Sequence, residues 1–173
     1  IAVPFTNTGS STAYEVTAHD VLAQGVDYIA ASASCEDQAL TAVAVSVTDN
    51  GTTLDFDGVP AGSWDIAPGN SITCTYQLLA DSDLYLDGVH TNTIDADWTS
   101  LDGAVAAERI YDDSVARVVD GGQDTNDASF TATGINFSKT VDKASATIGE
   151  VVTYTLNITG PLGLLKNLVV ADS

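Results

Sequence analysis

Two cysteines are the side chains of this sequence best suited to covalent chemistry. Cys74 alternates with Ile72, Tyr76 and Leu78, and this period of two places the four side chains on one face of a strand. Cys35 follows an apolar-rich segment, and neither cysteine has a second thiol or a histidine at metal-ligand spacing. We therefore predict a disulfide between Cys35 and Cys74 rather than two buried free thiols. Closing a loop of about 40 residues would stabilise the fold by about 4 kcal/mol.

Acidic loops form the second candidate site, because calcium prefers several oxygen ligands supplied by flexible segments. Two short clusters are Asp81, Asp83 and Asp87, and Asp95, Asp97 and Asp102. The richest group contains Asp112, Asp113, Asp120, Asp124, Asn126 and Asp127. Calcium is thus the one cofactor that the sequence suggests. The alternative is that these loops are simply solvated on a very acidic protein.

Residues for catalysis are sparse. His19 and His90 are the only histidines, and neither stands beside a serine or cysteine in a nucleophile motif. We interpret both as surface or cross-strand hydrogen-bonding residues. The glycine-containing segments lack the lysine and helix of a phosphate loop, and the abundant acidic pairs do not by themselves identify a glycosidase. The sequence therefore predicts no catalytic site and no enzyme.

The charge of the chain argues against two classes of partner. Its 173 residues include 24 acidic and 5 basic side chains, which give a formal net charge of −19. Such a chain repels nucleic-acid phosphates and anionic lipid surfaces. No apolar run approaches the 18 or so residues of a membrane span, so we expect no membrane insertion.

Alternation of apolar and polar residues recurs along the whole chain and predicts β-strands. Asn50-Gly51 between two such segments indicates a hairpin turn, since both residues tolerate positive φ. Residues 35–44 could instead hold a helical turn. Many short strands separated by turns predict an all-β, immunoglobulin-like antiparallel β-sandwich. The predicted strands are 1–6, 13–19, 26–33, 42–48, 52–57, 71–79, 89–98, 104–110, 115–119, 128–137, 151–159 and 164–171.

A partial internal repeat connects the two ends of the sequence. Residues 153–172 echo residues 1–20, with strand, glycine turn, strand and aspartate in the same order. Tyr154-Thr-Leu-Asn-Ile-Thr and Asn167-Leu-Val-Val-Ala-Asp172 resemble the conserved extracellular repeat domain of bacterial and archaeal surface proteins. That domain is immunoglobulin-like and its function is unassigned. Further motifs that carry the resemblance are Tyr14–Asp20, Ile66–Tyr76, Asn92–Ala96 and Phe137–Gly149.

The resemblance implies a domain organisation. A complete repeat would begin near Ile135, so residues 1–134 are expected to be a β-sandwich repeat that lacks its first strands. Residues 135–173 are then the opening strands of the next repeat. Because a sandwich without a strand exposes an edge, we expect residues 137–159 to complete one, within the chain or by strand exchange in a homodimer.

A covalent bond between side chains is a further possibility that the resemblance raises. Surface domains of related architecture carry an isopeptide bond between a lysine on the first strand and an asparagine on the last. Lys139 begins a repeat here and Asn92 lies in a late strand, so the residue types are present. The reaction needs a buried carboxylate beside the pair, and the alternative is an ordinary surface lysine.

These observations predict a structural spacer or stalk module of a microbial cell-surface or secreted repeat protein, with an adhesion-related role. Its expected location is extracellular, and its expected partners are neighbouring repeats of the same protein. The alternative function is a glycan-binding or protein-binding module, in which calcium could take part. The aromatic candidates for that role are Trp98, Tyr85 and Tyr111.

Overall fold

The protein is all-β in the part that its computed structural model describes, residues 1–81, 84, 88–111, 125–132, 134–160 and 169–171. Within these residues no helix has the length and apolar character needed to cross a membrane. The predicted antiparallel pairing of strands is confirmed. The strands are β1 Ala2–Thr6, β2 Tyr14–Val21, β3 Val26–Tyr28, β4 Ser34–Asp37, β5 Ala42–Val43, β6 Val45–Asp49, β7 Thr53–Gly58, β8 Ser71–Thr75, β9 Leu78–Ala80, β10 Val89–Thr99, β11 Ile110–Tyr111, β12 Asn126–Thr131, β13 Asn136–Val141 and β14 Tyr154–Thr159.

The chain divides into two compact units. Unit 1 comprises Ile1–Tyr85 and Val89–Phe130, and unit 2 comprises Leu86–Gly88 and Thr131–Ser173. Unit 1 contains a four-stranded sheet in the order β1-β8-β4-β5. It also contains a six-stranded sheet in the order β11-β10-β2-β7-β6, with β12 paired to β10. The short strands β3 and β9 pair with each other.

One apolar core joins the two larger sheets of unit 1. Phe5 and Ile72 come from the four-stranded sheet, and Leu54 and Phe56 come from the six-stranded sheet. Trp64, in the connection between β7 and β8, is almost completely buried in the same core. Its size makes it a large contributor to the apolar area removed from water. Alternate residues of β2, β7 and β8 supply this core, as the period of two predicts.

Several strand boundaries differ from the sequence prediction, and a side-chain hydrogen bond accompanies one of the breaks. The predicted strand 42–48 is interrupted at Ala44, whose carbonyl accepts a hydrogen bond of 3.1 Å from the Trp64 indole nitrogen. The predicted strand 71–79 is interrupted after Thr75, where the Tyr76 amide donates to the Ile1 carbonyl over 3.1 Å. At Ala44 the bond comes from a side chain outside the strand pair, whereas the bond between Tyr76 and Ile1 continues the β1–β8 register by one residue.

Two other predictions were wrong because of turns. The helical turn expected in residues 35–44 is a hairpin of β4 and β5, closed by Asp37 Oδ1, which accepts bonds of 2.8 and 2.9 Å from the amides of Ala39 and Thr41. The predicted strand 26–33 ends at Tyr28, before Ala31, which adopts a φ of 59°. A positive φ lies outside the extended region that regular strands use.

The remaining differences lie nearer the C-terminus. Only Ile110 of the predicted strand 104–110 is in a strand, and the predicted strand 128–137 is divided between β12 and β13. The predicted strand 115–119 lies outside the described residues. Of the predicted strand 164–171 only residues 169–171 are described, and they are not in a strand.

Unit 2 contains a hairpin in which β13 and β14 pair over six residues each, with Lys139 opposite Leu156. All of these residues are exposed on both faces. The loop between the strands is tied by Glu150, which accepts a 2.8 Å bond from the Thr147 amide and lies 3.6 Å from the Lys143 ammonium. A two-stranded hairpin without a packed face is marginally stable in water. That residues 137–159 complete a sandwich remains a prediction.

Candidate functional site

A groove lies beside β1, at one edge of the four-stranded sheet. β1 pairs with β8, and no other described strand pairs with it. The groove has a volume of about 720 Å³ and is bordered by β1 and the loop after it on one side and by β10 on the other. A smaller cavity of about 120 Å³ lies between residues 1–5 and strands β10 and β12. The space between the two sheets is therefore open along β1.

Two aromatic rings line the larger groove. Trp98 on β10 and Tyr111 on β11 lie opposite each other, and their rings stack with centroids 5.1 Å apart and planes 12° from parallel. Asn126 and the loop that carries Asn7 supply polar groups to the same groove. The Asn7 side chain is fixed there, because its Nδ2 donates to the Ile66 carbonyl over 2.7 Å. Of the three predicted aromatic candidates, two are thus adjacent, and Tyr85 lies outside the described residues.

A buried carboxylate lies in the core, next to Asn92, which lines the smaller cavity. Asp20 on β2 is completely buried, and its Oδ2 accepts a hydrogen bond of 2.5 Å from the Tyr76 hydroxyl. Its Oδ1 accepts a bond of 2.5 Å from Asn92 Nδ2. Burial raises the pKa of Asp20 above its ordinary value, and the two hydrogen bonds and the charge of His19 offset part of that increase. Burial and the bond to Asp20 likewise raise the pKa of Tyr76.

The sequence analysis missed Asp20, although a signal for it existed. Val16, Ala18 and Asp20 alternate along β2, and all three side chains are buried. An aspartate on the apolar face of a strand must find hydrogen-bond partners inside the protein. Those partners, Tyr76 and Asn92, lie 56 and 72 residues away in sequence, so no local pattern identifies them.

The two residues proposed for an isopeptide bond belong to different units. Asn92 is buried in unit 1, and its Oδ1 has no hydrogen-bond partner among the described residues. Lys139 lies on β13 in unit 2, where its ammonium is 4.7 Å from the ring centre of Tyr154. Contact with the face of an aromatic ring stabilises a cation. The bond itself remains a prediction.

The predicted calcium site is described only in part. Asp112, Asp113, Asp120 and Asp124 lie outside the described residues, while Asn126 and Asp127 lie on β12. Asp127 Oδ1 accepts a 2.6 Å bond from the Thr93 hydroxyl of β10. The described part of the chain contains no group of three or more His, Cys, Asp or Glu side chains that could hold a metal ion. Calcium binding by the acidic loop remains a prediction.

The structure tests the cysteine and histidine predictions directly. Cys35 and Cys74 form a disulfide between directly opposite residues of β4 and β8, so that prediction is confirmed. His19 pairs across strands with Asp55 at 2.5 Å, as interpreted from the sequence. His90 is not a surface residue, because it is buried and stacks on Phe130 with ring centroids 5.2 Å apart.

Strand β10 contributes residues to both cavities and to the stacked aromatic pair. It also contributes to the buried cluster, the hydrogen-bonded side chains of Asp20, Tyr76 and Asn92. Its inward-facing residues include Asn92 in the cluster, Ile94 and Ala96 in the cavities, and Trp98 in the aromatic pair. The groove and the buried cluster are therefore neighbouring parts of one region of unit 1. No protein-family model, no curated protein and no solved structure matches the chain.

Proposed function

We propose that this chain is a spacer module of an extracellular repeat protein, and that copies of it join by adding a strand beside β1. Its folded part is, in this proposal, an immunoglobulin-like β-sandwich related to the surface repeat domain that its motifs resemble. The observation that carries the proposal is the groove along the edge of β1. An added strand gains main-chain hydrogen bonds from such an edge and inserts alternate side chains into the space behind it.

The occupant of the groove is β13 of a second copy. Phe137, Lys139 and Val141 share one face of β13, and Phe137 and Val141 are 57% and 45% exposed. Docking would remove these apolar side chains from water, which stabilises association in proportion to the area buried. Strand addition of this kind gives the exposed hairpin a packed face.

Charge favours the same pairing. Residues 1–134 carry 21 acidic and two basic side chains, whereas residues 135–173 carry three of each. All three lysines of the chain lie in the second segment. Residues 135–173 carry no net charge, so an acidic surface repels them less than it would repel a second acidic unit. Their lysines can also pair with carboxylates on that surface.

The disulfide supports an extracellular location, since such bonds persist in oxidising surroundings. A stalk exposed to proteases and mechanical load also requires a stable fold, and a cross-link between β4 and β8 contributes to one. The adhesion-related role follows from the same proposal: the module would hold a binding or catalytic head away from the cell. No catalytic residue is assigned to it.

The strand-addition step is tested by measuring the mass of the full chain in solution by light scattering over a range of concentrations. We expect oligomers whose dissociation constant rises about tenfold or more in Phe137→Asp, because the variant loses an apolar side chain and would bury an unpaired carboxylate in the groove. The matched control is Leu40→Asp, which changes a 77% exposed leucine in the β4–β5 turn and should leave association unchanged. A chain that stays monomeric at all concentrations contradicts the proposal.

A second candidate function, glycan binding, is favoured by the Trp98–Tyr111 pair. The stacked rings of Trp98 and Tyr111 offer an apolar surface, and the Asn7 side chain beside them offers polar contacts. Small-molecule sites commonly combine apolar surface for affinity with a few polar groups for orientation. Such a module would contact sugars through the groove in unit 1. The acidic loop would add a calcium-dependent contribution.

A glycan array probed with and without EDTA tests this function. For any glycan that the full chain retains, we expect Trp98→Ala to weaken binding about tenfold or more, since the aromatic platform is lost. Tyr154→Ala removes an exposed aromatic ring of unit 2 and serves as the control. If the Trp98 variant binds equally well, or if the protein binds no glycan, the groove is not a sugar site. Loss of binding in EDTA would assign a role to calcium.

A further inference from the structure

The β13–β14 hairpin of unit 2 has two unlike faces. Side chains alternate between faces along a strand, and directly opposite residues of an antiparallel pair share a face. The register therefore places five apolar side chains and one lysine on one face: Phe137, Lys139, Val141, Tyr154, Leu156 and Ile158. The other face is polar and uncharged, and consists of Asn136, Ser138, Thr140, Thr155, Asn157 and Thr159. Packing of such a hairpin buries the apolar face and leaves the polar face to water.

Two copies of the tripeptide Asn-X-Ser/Thr lie on the hairpin. They are Asn136-Phe137-Ser138 on β13 and Asn157-Ile158-Thr159 on β14. This tripeptide is the acceptor of N-linked glycans in secreted proteins. The first and third residues share a face when the tripeptide is in a strand, because side chains alternate with a period of two. In both copies the asparagine and the hydroxyl therefore lie together on the polar face, and the middle residue lies on the apolar face.

The strand register pairs the two tripeptides with each other. The opposed residues are Asn136 and Thr159, Phe137 and Ile158, and Ser138 and Asn157. Each asparagine thus lies across from the hydroxyl residue of the other tripeptide, and the two asparagines are diagonal neighbours about 7–8 Å apart. Both are exposed, and no hydrogen bond among the described residues engages either carboxamide. The two acceptor nitrogens are accessible from the same side of the hairpin.

We propose that Asn136 and Asn157 form a paired N-glycosylation site on the polar face of the hairpin. The co-substrate is an oligosaccharide activated as a diphosphate ester, and a transferase of the exporting cell catalyses the reaction. The inference rests on one part of the proposed function, the extracellular location, because N-linked glycans are added to exported chains. It does not require strand addition at β1.

The atoms of the transfer balance. A bond forms between Nδ2 of the asparagine and C1 of the first sugar, and the bond between C1 and the diphosphate oxygen breaks. The diphosphate leaves with the electron pair of that bond, and the proton lost from Nδ2 passes to a base of the transferase. The carboxamide becomes a secondary amide, and no atom is oxidised or reduced.

A third copy of the tripeptide, Asn50-Gly51-Thr52, lies in the turn between β6 and β7 and provides a contrast. Asn50 Nδ2 donates to Asp55 Oδ2 over 2.8 Å, and the Asp49 carboxylate accepts a 2.8 Å bond from the Gly51 amide. Asp55 thus holds the acceptor nitrogen, and both carboxylates repel an anionic diphosphate donor. The β13–β14 hairpin belongs instead to residues 135–173, which carry no net charge. We therefore expect glycans on the hairpin and none on Asn50.

Glycans on the polar face are compatible with packing of the hairpin. Phe137 and Val141 project from the opposite face, so the side chains proposed to enter the groove stay free of sugar. The polar face carries no charged side chain, although the chain has 24 acidic residues. Bulky, hydrated sugars would give this face the solubility that carboxylates give to the rest of the surface.

The test begins with the protein isolated from the cells that produce it. Trypsin cleaves after lysine and arginine, so the three asparagines fall in separate peptides: residues 1–109 with Asn50, 118–139 with Asn136 and 144–166 with Asn157. We expect mass spectrometry to show a series of added sugar masses on the second and third peptides and none on the first. Enzymatic removal of the N-linked glycans should leave an aspartate at each former site.

Variants produced in the same cells separate the two sites. Asn136→Gln and Asn157→Gln should each abolish the glycan on one peptide and leave the other peptide modified. Thr159→Ala keeps Asn157 but removes the hydroxyl of its tripeptide, so it should abolish the same glycan as Asn157→Gln. Thr155→Ala is the matched control, because it removes a hydroxyl from the same strand and face outside either tripeptide. It should leave both glycans in place.

The failure of this inference is distinguishable from the failure of the proposed function. Unmodified hairpin peptides in protein that retains the Cys35–Cys74 disulfide would overturn the glycosylation and leave the extracellular location standing. Unmodified peptides together with reduced cysteines would overturn both. A glycan on only one of Asn136 and Asn157 would overturn the paired site. A glycan on Asn50 would overturn the selection by nearby carboxylates.

Discussion

We expect loss of the Cys35–Cys74 disulfide to lower the free energy of unfolding by about 4 kcal/mol. The bond joins residues 39 apart in sequence. Breaking it increases the conformational entropy of the unfolded chain, because the loop is no longer closed. The measurement is urea unfolding of the protein with and without reductant. Reduction leaves both sulfur atoms in the core, so the difference reports the cross-link and not a change in packing.

The neighbouring pair Ser34 and Thr75 provides the control for this effect. Their hydroxyls hydrogen-bond at 2.9 Å across the same two strands, one residue along from the disulfide and on the exposed face. Replacing both by alanine should cost about 1 kcal/mol or less, because an exposed hydrogen bond exchanges with water. Equal stability of the oxidised and reduced proteins would show that the cross-link does not constrain the unfolded chain.

The position of the disulfide also bears on the groove. β8 lies between β1 and β4, and Cys74 is opposite both Val3 of β1 and Cys35 of β4. The bond therefore anchors the strand on which β1 depends for all its described pairing. A stable β8 keeps the edge of β1 extended and able to accept another strand.

Period-two alternation predicted the parts of this fold that are set by burial. Along β2, β7 and β8 the alternate residues are inward, and Cys74 faces the core as predicted. Each of these strands has one face towards solvent and one face towards the core, so the alternation of polar and apolar residues predicts the strand directly. The all-β class and the disulfide followed from that pattern.

The parts that failed depend on single residues in turns. Ala31 and Leu40 adopt φ values of 59° and 60°, which alanine and leucine seldom do, and neither position carries the glycine or asparagine that would announce a turn. β4 is only four residues long and is polar at three of its positions, so its alternation is too short to recognise. Pairing with β8 on one side and β5 on the other makes it a strand.

The candidate site was predictable only in fragments. The sequence identified Asn92, Lys139, Trp98 and Tyr111 as residue types of interest, and the structure shows that Trp98 and Tyr111 stack. It did not identify Asp20, because its role as a buried hydrogen-bond acceptor depends on the distant donors Tyr76 and Asn92. Contacts between residues so far apart in sequence are set by the packing of two sheets, which no short window contains.

The second large effect concerns Asp20 itself. We expect Asp20→Ala to lower the free energy of unfolding by about 3 kcal/mol at neutral pH, because it leaves the Tyr76 hydroxyl and Asn92 Nδ2 buried without an acceptor. Asp20→Asn should cost less, since the amide oxygen still accepts one of these bonds. Urea unfolding of the two variants beside the unchanged protein gives both values. The exposed Asp65, which accepts a 3.1 Å bond from the Glu15 amide, supplies a control whose change to alanine should cost about 1 kcal/mol or less.

The pH dependence of the same variants has a definite sign. Burial raises the pKa of Asp20 in the folded protein above the ordinary value of 3.8, so the folded state holds the proton more tightly than the unfolded state does. The stability that this proton confers is fully present below pH 3.8 and is lost as the pH rises through the higher, folded pKa. The stability of the protein relative to Asp20→Asn should therefore fall as the pH is raised across this window.

Comparing the two proteins at each pH isolates Asp20, because the other 23 of the 24 acidic residues are present in both. A difference that is constant with pH, or that grows as the pH rises, would mean that the hydrogen bonds from Tyr76 and Asn92 outweigh burial and hold the carboxylate charged. The titration of this one buried carboxyl thus decides whether burial or hydrogen bonding controls its charge in the folded protein.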